Sequence, residues 1–268
     1  MDNTRLTAVV MMIIYCFLKC INASPLDNED INEEDTTPIC INQMGKKLHY
    51  IPQGQFSIIS ANFAYNVIEE LPPYVFYKNL YKNLEILVLS HNRISNIDAE
   101  AFRELRQLRK VDLSSNNITH LEANVFRQSH RLERVDLSFN NIITDPEKPL
   151  FKSQSVQTLI LAYNQIVNVY DITFARLPNL QILFLDNNLL FYLSPNCFVH
   201  LRHLQYVSLS NTNVFKLTNS MFKTIPRLMD LSETPLAKKF EPPLRKVRSG
   251  QLVKLMDIEE YISDLDDS

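Results

Sequence analysis

The chain has 268 residues, 46% of them hydrophobic and 21% charged, with a formal net charge of −3. That composition supports a sizeable apolar core and gives no electrostatic reason to expect nucleic acid as a partner. The only glycines are Gly45, Gly54 and Gly250. No glycine-rich loop can therefore bring backbone close to a phosphate, and nucleotide binding is not expected.

At the start, Arg5 precedes an apolar run from Ala8 to Leu18, and the small Ala23 follows a few residues later. A basic start, a short apolar core and a small residue form the pattern of a secretory signal, with cleavage expected after Ala23. The eleven apolar residues are about half of the ~20 that cross a bilayer. Residues 1–23 are thus read as a signal peptide, and the mature protein as secreted and extracellular, with no stable membrane anchor after cleavage. Residues 24–37 carry Asp27, Glu29, Asp30, Glu33, Glu34 and Asp35 with no basic residue, and read as a disordered acidic linker.

Further along, a self-similar spacing dominates. Leu84-x-x-Leu87-x-Leu89-x-x-Asn92-x-Ile94 returns 24 residues later as Leu108, Val111, Leu113, Asn116 and Ile118. It continues through Asn140, Asn164 and Asn188 at the same period. Weaker copies begin at Ile58, Leu204 and Pro226, with Thr212 and Thr234 in place of the asparagine, giving about eight repeats over residues 58–237. Residues two apart lie on one face of a strand, so each Leu-x-Leu turns two side chains inward. Eight residues beyond the last apolar position stands a phenylalanine: Phe76, Phe102, Phe126, Phe174, Phe198 and Phe222. In the fourth repeat the choice lies between Leu150 and Phe151. The asparagine amide, both donor and acceptor, is expected to satisfy buried backbone groups of its own and the next coil. Thr212 and Thr234 can do only part of this.

On these residues the chain resembles the extracellular, 24-residue class of the leucine-rich repeat family. The resemblance implies an α/β solenoid: a horseshoe with a parallel sheet on the concave side and irregular or 3-10 turns on the convex side. It implies a non-catalytic binding protein without cofactors, since the family's members bind through variable positions. Such proteins usually cap the first coil with a cysteine cluster before a Leu-x-x-Ile-Pro segment. Leu48-His49-Tyr50-Ile51-Pro52 fits the second half, but Cys40 alone remains of the cluster. Residues 38–57 as an N-terminal cap, and something after 237, must shield the core edges without the usual disulfides.

Residues 238–268 form a charged tail, basic around Lys238, Lys239, Arg245, Lys246 and Arg248 and then acidic to the end. Within it, Leu255, Ile258, Ile262 and Leu265 recur at three and four, which predicts a helix docked on the last coil.

No nucleophile, base and oxyanion grouping stands at usable spacing, so no enzyme is expected. His200 and His203 lack a carboxylate or cysteine cluster to join them and are read as surface residues, with no metal. Outward strand positions are where binding belongs. Lys110, Asp112, Arg134 and Asp136 form a charged block expected to pair with itself. Ile160, Ile182, Phe184 and Tyr206, with Tyr163 near the rim, form an apolar and aromatic block, the expected contact site for a protein or glycan ligand. Pairing with a second copy, or with another repeat protein, is the alternative.

Asn117-Ile118-Thr119 is the acceptor triplet clear of the signal, so N-glycosylation is expected at Asn117. Cys40 precedes the first coil and Cys197 lies in the sixth. Six strand spacings separate them, roughly 29 Å, against a limit of about 7 Å for a disulfide. Cys197 is expected to be buried. Cys40 is expected to be reachable and able to join another chain.

Overall fold

The computed structural model describes residues 39–240 and 242–253. The proposed signal, the acidic linker and the apolar stripe from Leu255 to Leu265 lie outside the described residues.

The chain winds as a solenoid whose strands stack into one ten-stranded sheet. In chain order the strands are β1 (Ile39–Asn42), β2 (Ile58–Asn62), β3 (Glu70–Leu71), β4 (Ile86–Val88), β5 (Asn96–Ile97) and β6 (Lys110–Asp112). They continue as β7 (Arg134–Asp136), β8 (Thr158–Ile160), β9 (Asn168–Val169), β10 (Ile182–Phe184) and β11 (Tyr192–Leu193). The last are β12 (Tyr206–Ser208), β13 (Leu228–Asp230) and β14 (Lys246–Arg248). Sheet order is β1-β2-β4-β6-β7-β8-β10-β12-β13-β14, parallel up to β13. The short β3, β5, β9 and β11 pair β3 with β5 and β9 with β11 on the other side of the coils.

The register follows the leucines. Each inner strand buries its middle residue (Leu87, Val111, Val135, Leu159, Leu183) between two half-buried neighbours. Equivalent residues face one another across every step, as Leu183 faces Leu159 on one side and Val207 on the other. Burying such a side chain stabilises by about 1.5–3 kcal/mol, and because the strands are only three residues long the core depends on repetition. Beneath the convex side runs the phenylalanine column. Phe76, Phe102, Phe126 and Phe151 follow one another with ring centroids 5.6, 5.0 and 5.3 Å apart. Phe174, Phe198 and Phe222 continue it at 6.3 and 5.3 Å. Phe151 fills the fourth place, and Leu150 is buried beside it.

The asparagine column is hydrogen-bonded on both sides, but in the direction opposite to expectation. Asn140 donates to the Leu137 carbonyl of its own coil and to the Leu113 carbonyl of the preceding one, at 3.1 and 2.9 Å. Its Oδ1 accepts from the Ile118 N–H, also in the preceding coil, at 3.0 Å. Asn92, Asn116, Asn164 and Asn188 repeat this. Each amide thus ties its coil backward, because the turn points the side chain at the neighbour already stacked beneath it. Asn66 does the same to the cap, through the Gln43 carbonyl and the Leu48 N–H. Thr212 and Thr234 donate to a carbonyl of their own coil, Leu209 and Leu231 respectively, and neither donates into the coil before it.

Just before each ladder residue the chain turns through the left-handed region. Tyr65, His91, Ser115, Phe139, Tyr163, Asn187, Asn211 and Glu233 hold φ between 51° and 60°, and none of them is glycine.

The described ends are closed by added strands and cap hydrogen bonds. At the N-terminus β1 adds a parallel strand, with Ile39 and Ile41 against the core. The cap loop is held by the Gly54 N–H on the Asn79 carbonyl and by the Asn79 amide on the Ile51 carbonyl. Gly54 is required by close approach, since a Cβ there would lie 2.4 Å from the Tyr81 ring. Tyr81 packs edge-on to Phe63, and burial pushes its phenol up to about 12. At the C-terminus, residues 238–253 are more than a charged tail. Thr234 caps the short helix α1 (Pro235–Lys238), whose Leu236 and Ala237 are buried. The chain then returns as β14, antiparallel to β13, with Val247 inward and Lys246 and Arg248 exposed. Residues 249–253 are helical, and Leu252 is buried.

Candidate ligand-binding face

Parallel register places the outward residues in two rows across the sheet. One row runs Ile86, Lys110, Arg134, Thr158, Ile182, Tyr206 and Leu228. The other runs Val88, Asp112, Asp136, Ile160, Phe184, Ser208 and Asp230. Ile160 is directly beside Phe184, and Ile182 beside Tyr206, so β8, β10 and β12 bring these four together. All four are half-buried. The Phe184 and Tyr206 rings lie 5.3 Å apart, tilted by 56°. Burial, with Asp230 and Asp186 nearby, raises the Tyr206 phenol above its usual value. Tyr163 stands apart from this group, on the left-handed turn after β8, where its ring stacks on Phe139 at 4.3 Å.

The charged block behaves differently from a set of paired ions. Arg134 does approach Asp136, at 3.6 Å. Yet Asp112 and Asp136 each accept two hydrogen bonds from the serine two residues on, Ser114 or Ser138, through its N–H and its hydroxyl. Asp230 does so with Ser232. These carboxylates therefore fasten the bend that follows the strand. Burial raises the Asp136 carboxyl above the usual range and Asp112 next to it adds to this, while the Ser138 hydrogen bonds and Arg134 pull it down.

On the edge preceding the strands a shallow polar groove of about 480 Å³ passes Arg109, Glu133, Gln157, Gln181 and His203. Arg109 bridges Glu85 at 3.5 Å and Glu133 at 3.0 Å. On the opposite edge lies an apolar feature that the outward strand positions do not include. Ile143, Val167, Phe191 and Phe215 fall at one 24-residue spacing and are 57%, 43%, 59% and 46% exposed. The repeat period that locates the leucines would have located them too, three residues past each ladder position.

Asn117 is exposed on its turn, as glycosylation requires. Cys197 is buried in the sixth coil. Its thiol is pushed well above the usual range by burial and by Asp171, the reverse of an activated nucleophile. Cys40 is half-buried on β1, six strand steps away. Among the described residues, no group of three or more His, Cys, Asp or Glu is placed to hold a metal ion, and no helix is long and apolar enough to cross a membrane.

A curved parallel sheet with an asparagine ladder on one side and a phenylalanine column on the other defines a leucine-rich repeat solenoid. Residues 82–142 and 154–215 match the family model described as leucine rich repeat. Three solved structures share the fold. Human 5T4, a Wnt-activated inhibitory factor and trophoblast glycoprotein, is 24% identical with a TM-score of 0.58 over 78% of this chain and 83% of that one. The leucine-rich repeat domain of APL1B is 20% identical with a TM-score of 0.50, over 87% and 69%. A chain of the LRIM1/APL1C complex is 21% identical with a TM-score of 0.54, over 65% and 31%. No curated protein matches the chain in sequence.

Proposed function

We propose that this is a secreted, non-catalytic recognition protein whose concave face binds another protein through Ile160, Ile182, Phe184 and Tyr206, with Tyr163 at the rim. The observation that carries the reading is the clustering of those four apolar side chains on three adjacent strands, half-buried on the outward face of the sheet. Apolar clusters left partly open to water cost free energy that a covering surface recovers. A protein surface suits them because four contiguous apolar side chains offer contact area to bury. The LRIM1/APL1C structure is a complex of two proteins, which is consistent with partnering on such a scaffold.

Secretion rests on the signal pattern of residues 1–23, and glycosylation on the exposed Asn117. Enzymatic deglycosylation of the secreted protein should lower its mass, and the Asn117→Gln variant should show no such change. The binding reading is tested by affinity capture from extracellular fluid with the intact protein and with Phe184→Asp. A partner retained by the first and lost by the second supports it. A partner held equally by both variants would remove the concave face from consideration.

A further inference from the structure

We propose that the lateral stripe formed by Ile143, Val167, Phe191 and Phe215 is the seat of a second copy of this chain. The stripe begins where the ladder turns end: Ile143 and Phe191 bond back through their N–H groups to the Thr119 and Val167 carbonyls of preceding coils, so the column is fixed by the fold. Phe191 and Phe215 rings lie 5.4 Å apart. Leu189 and Tyr192, 63% and 45% exposed, widen it at the sixth coil, and the stacked Phe139 and Tyr163 border it.

Two properties of the surface select the occupant. The first is charge. Residues 139–144, 163–170, 187–193 and 211–215, the turns that make this edge, contain no charged side chain, and the first charges beyond them at the two ends are opposite in sign, Asp145 and Lys216. A two-fold axis sets each surface against itself, which a charged patch resists and a neutral one does not. The second is area. A large aromatic buries 150–250 Å², so these eight side chains, five aromatic and three aliphatic and each about half exposed, offer on the order of 800 Å². That is the share each partner contributes to an interface of standard size, and it exceeds the largest apolar patch of an ordinary monomer.

The spacing also fits a two-fold. With the axis between the fifth and sixth coils, Phe191 meets Val167 of the second copy and Phe215 meets Ile143. Each pair sets a ring against a smaller aliphatic side chain. The four strand residues Ile160, Ile182, Phe184 and Tyr206 remain open, one set per copy, and Tyr163 alone borders both surfaces.

Sedimentation velocity on the full secreted chain from ~1 to 100 µM should show a dimer. Phe191→Asp should raise its dissociation constant by about 30-fold or more, as loss of a central contact does, and its melting temperature, measured at a dilution where both proteins are monomeric, should match wild type because the side chain is exposed. If Phe191→Asp is not secreted, Phe191→Ser serves the same purpose. Phe184→Asp on the concave face should dimerise as wild type does. A monomer throughout that range, or a dimer that persists in the Phe191→Asp, Phe215→Asp double variant, would overturn the proposal.

Discussion

The coils from Asn92 to Asn188 and the two that carry Thr212 and Thr234 are built on the same strand register but joined by different means. In the first group a buried amide makes hydrogen bonds into the coil beneath it as well as its own. In the second the threonine hydroxyl bonds only within its coil, and cohesion passes to the strand returned by β14 and to the helix capped by Thr234. A solenoid can therefore be held together either coil by coil or from its end. The two ways differ in how far a single defect spreads.

The largest effect is expected where the ladder is cut. Asn140→Ala removes the donors to Leu113 and Leu137 and strands the buried Ile118 N–H, for a loss of about 3 kcal/mol by urea denaturation. Val247→Ala opens the space between β14 and Met229. It should destabilise by about 2 kcal/mol, with hydrogen exchange accelerating from residue 204 onward while the earlier coils keep their protection. Were exchange to rise uniformly, the two halves would not be separately held. Thr212→Ala forfeits one hydrogen bond and about 1 kcal/mol. Thr212→Asn should do the opposite, since an amide there can reach the Leu185 carbonyl, and a gain in stability would show that the ladder stops for want of an asparagine and not for want of geometry.

The smallest effect concerns Asp136. Its carboxyl is raised in the folded state, so the native protein holds that proton more tightly than the unfolded chain does. Stability from this group is present below the ordinary carboxylate range and is lost as pH climbs through the raised value. Asp136→Asn keeps an acceptor for Ser138 and removes the charge. It should stabilise by under about 1 kcal/mol at pH 7, the gain fading as pH falls below the usual aspartate range. A gain independent of pH would assign the effect to packing.

Much of this was legible in the chain because a 24-residue period leaves little freedom: once Leu87 is inward, Leu159 and Leu183 must be, and Ile160 then adjoins Phe184. The direction of the asparagine bonds was not, since spacing is the same whether an amide reaches forward or back. Nor was β14. Lys246-Val247-Arg248 offers one apolar residue between two cations and reads as solvated charge until the exposed edge of β13 gives Val247 somewhere to go. The concave cluster is legible because alternate strand positions face outward. The lateral stripe lies past the strands, where alternation gives no signal, although Phe191 and Phe215 keep the 24-residue spacing.

The left-handed turns ahead of each ladder residue leave a further mark. A side chain other than glycine or asparagine held there costs about 1–2 kcal/mol relative to ordinary backbone, yet Phe139 and Tyr163 occupy that position with rings about half in water. Nothing in the core explains keeping them. Under laboratory selection for heat resistance alone, with no partner in the tube, these two positions should drift to glycine or asparagine sooner than any residue of the strands. Under selection for association they should stay aromatic.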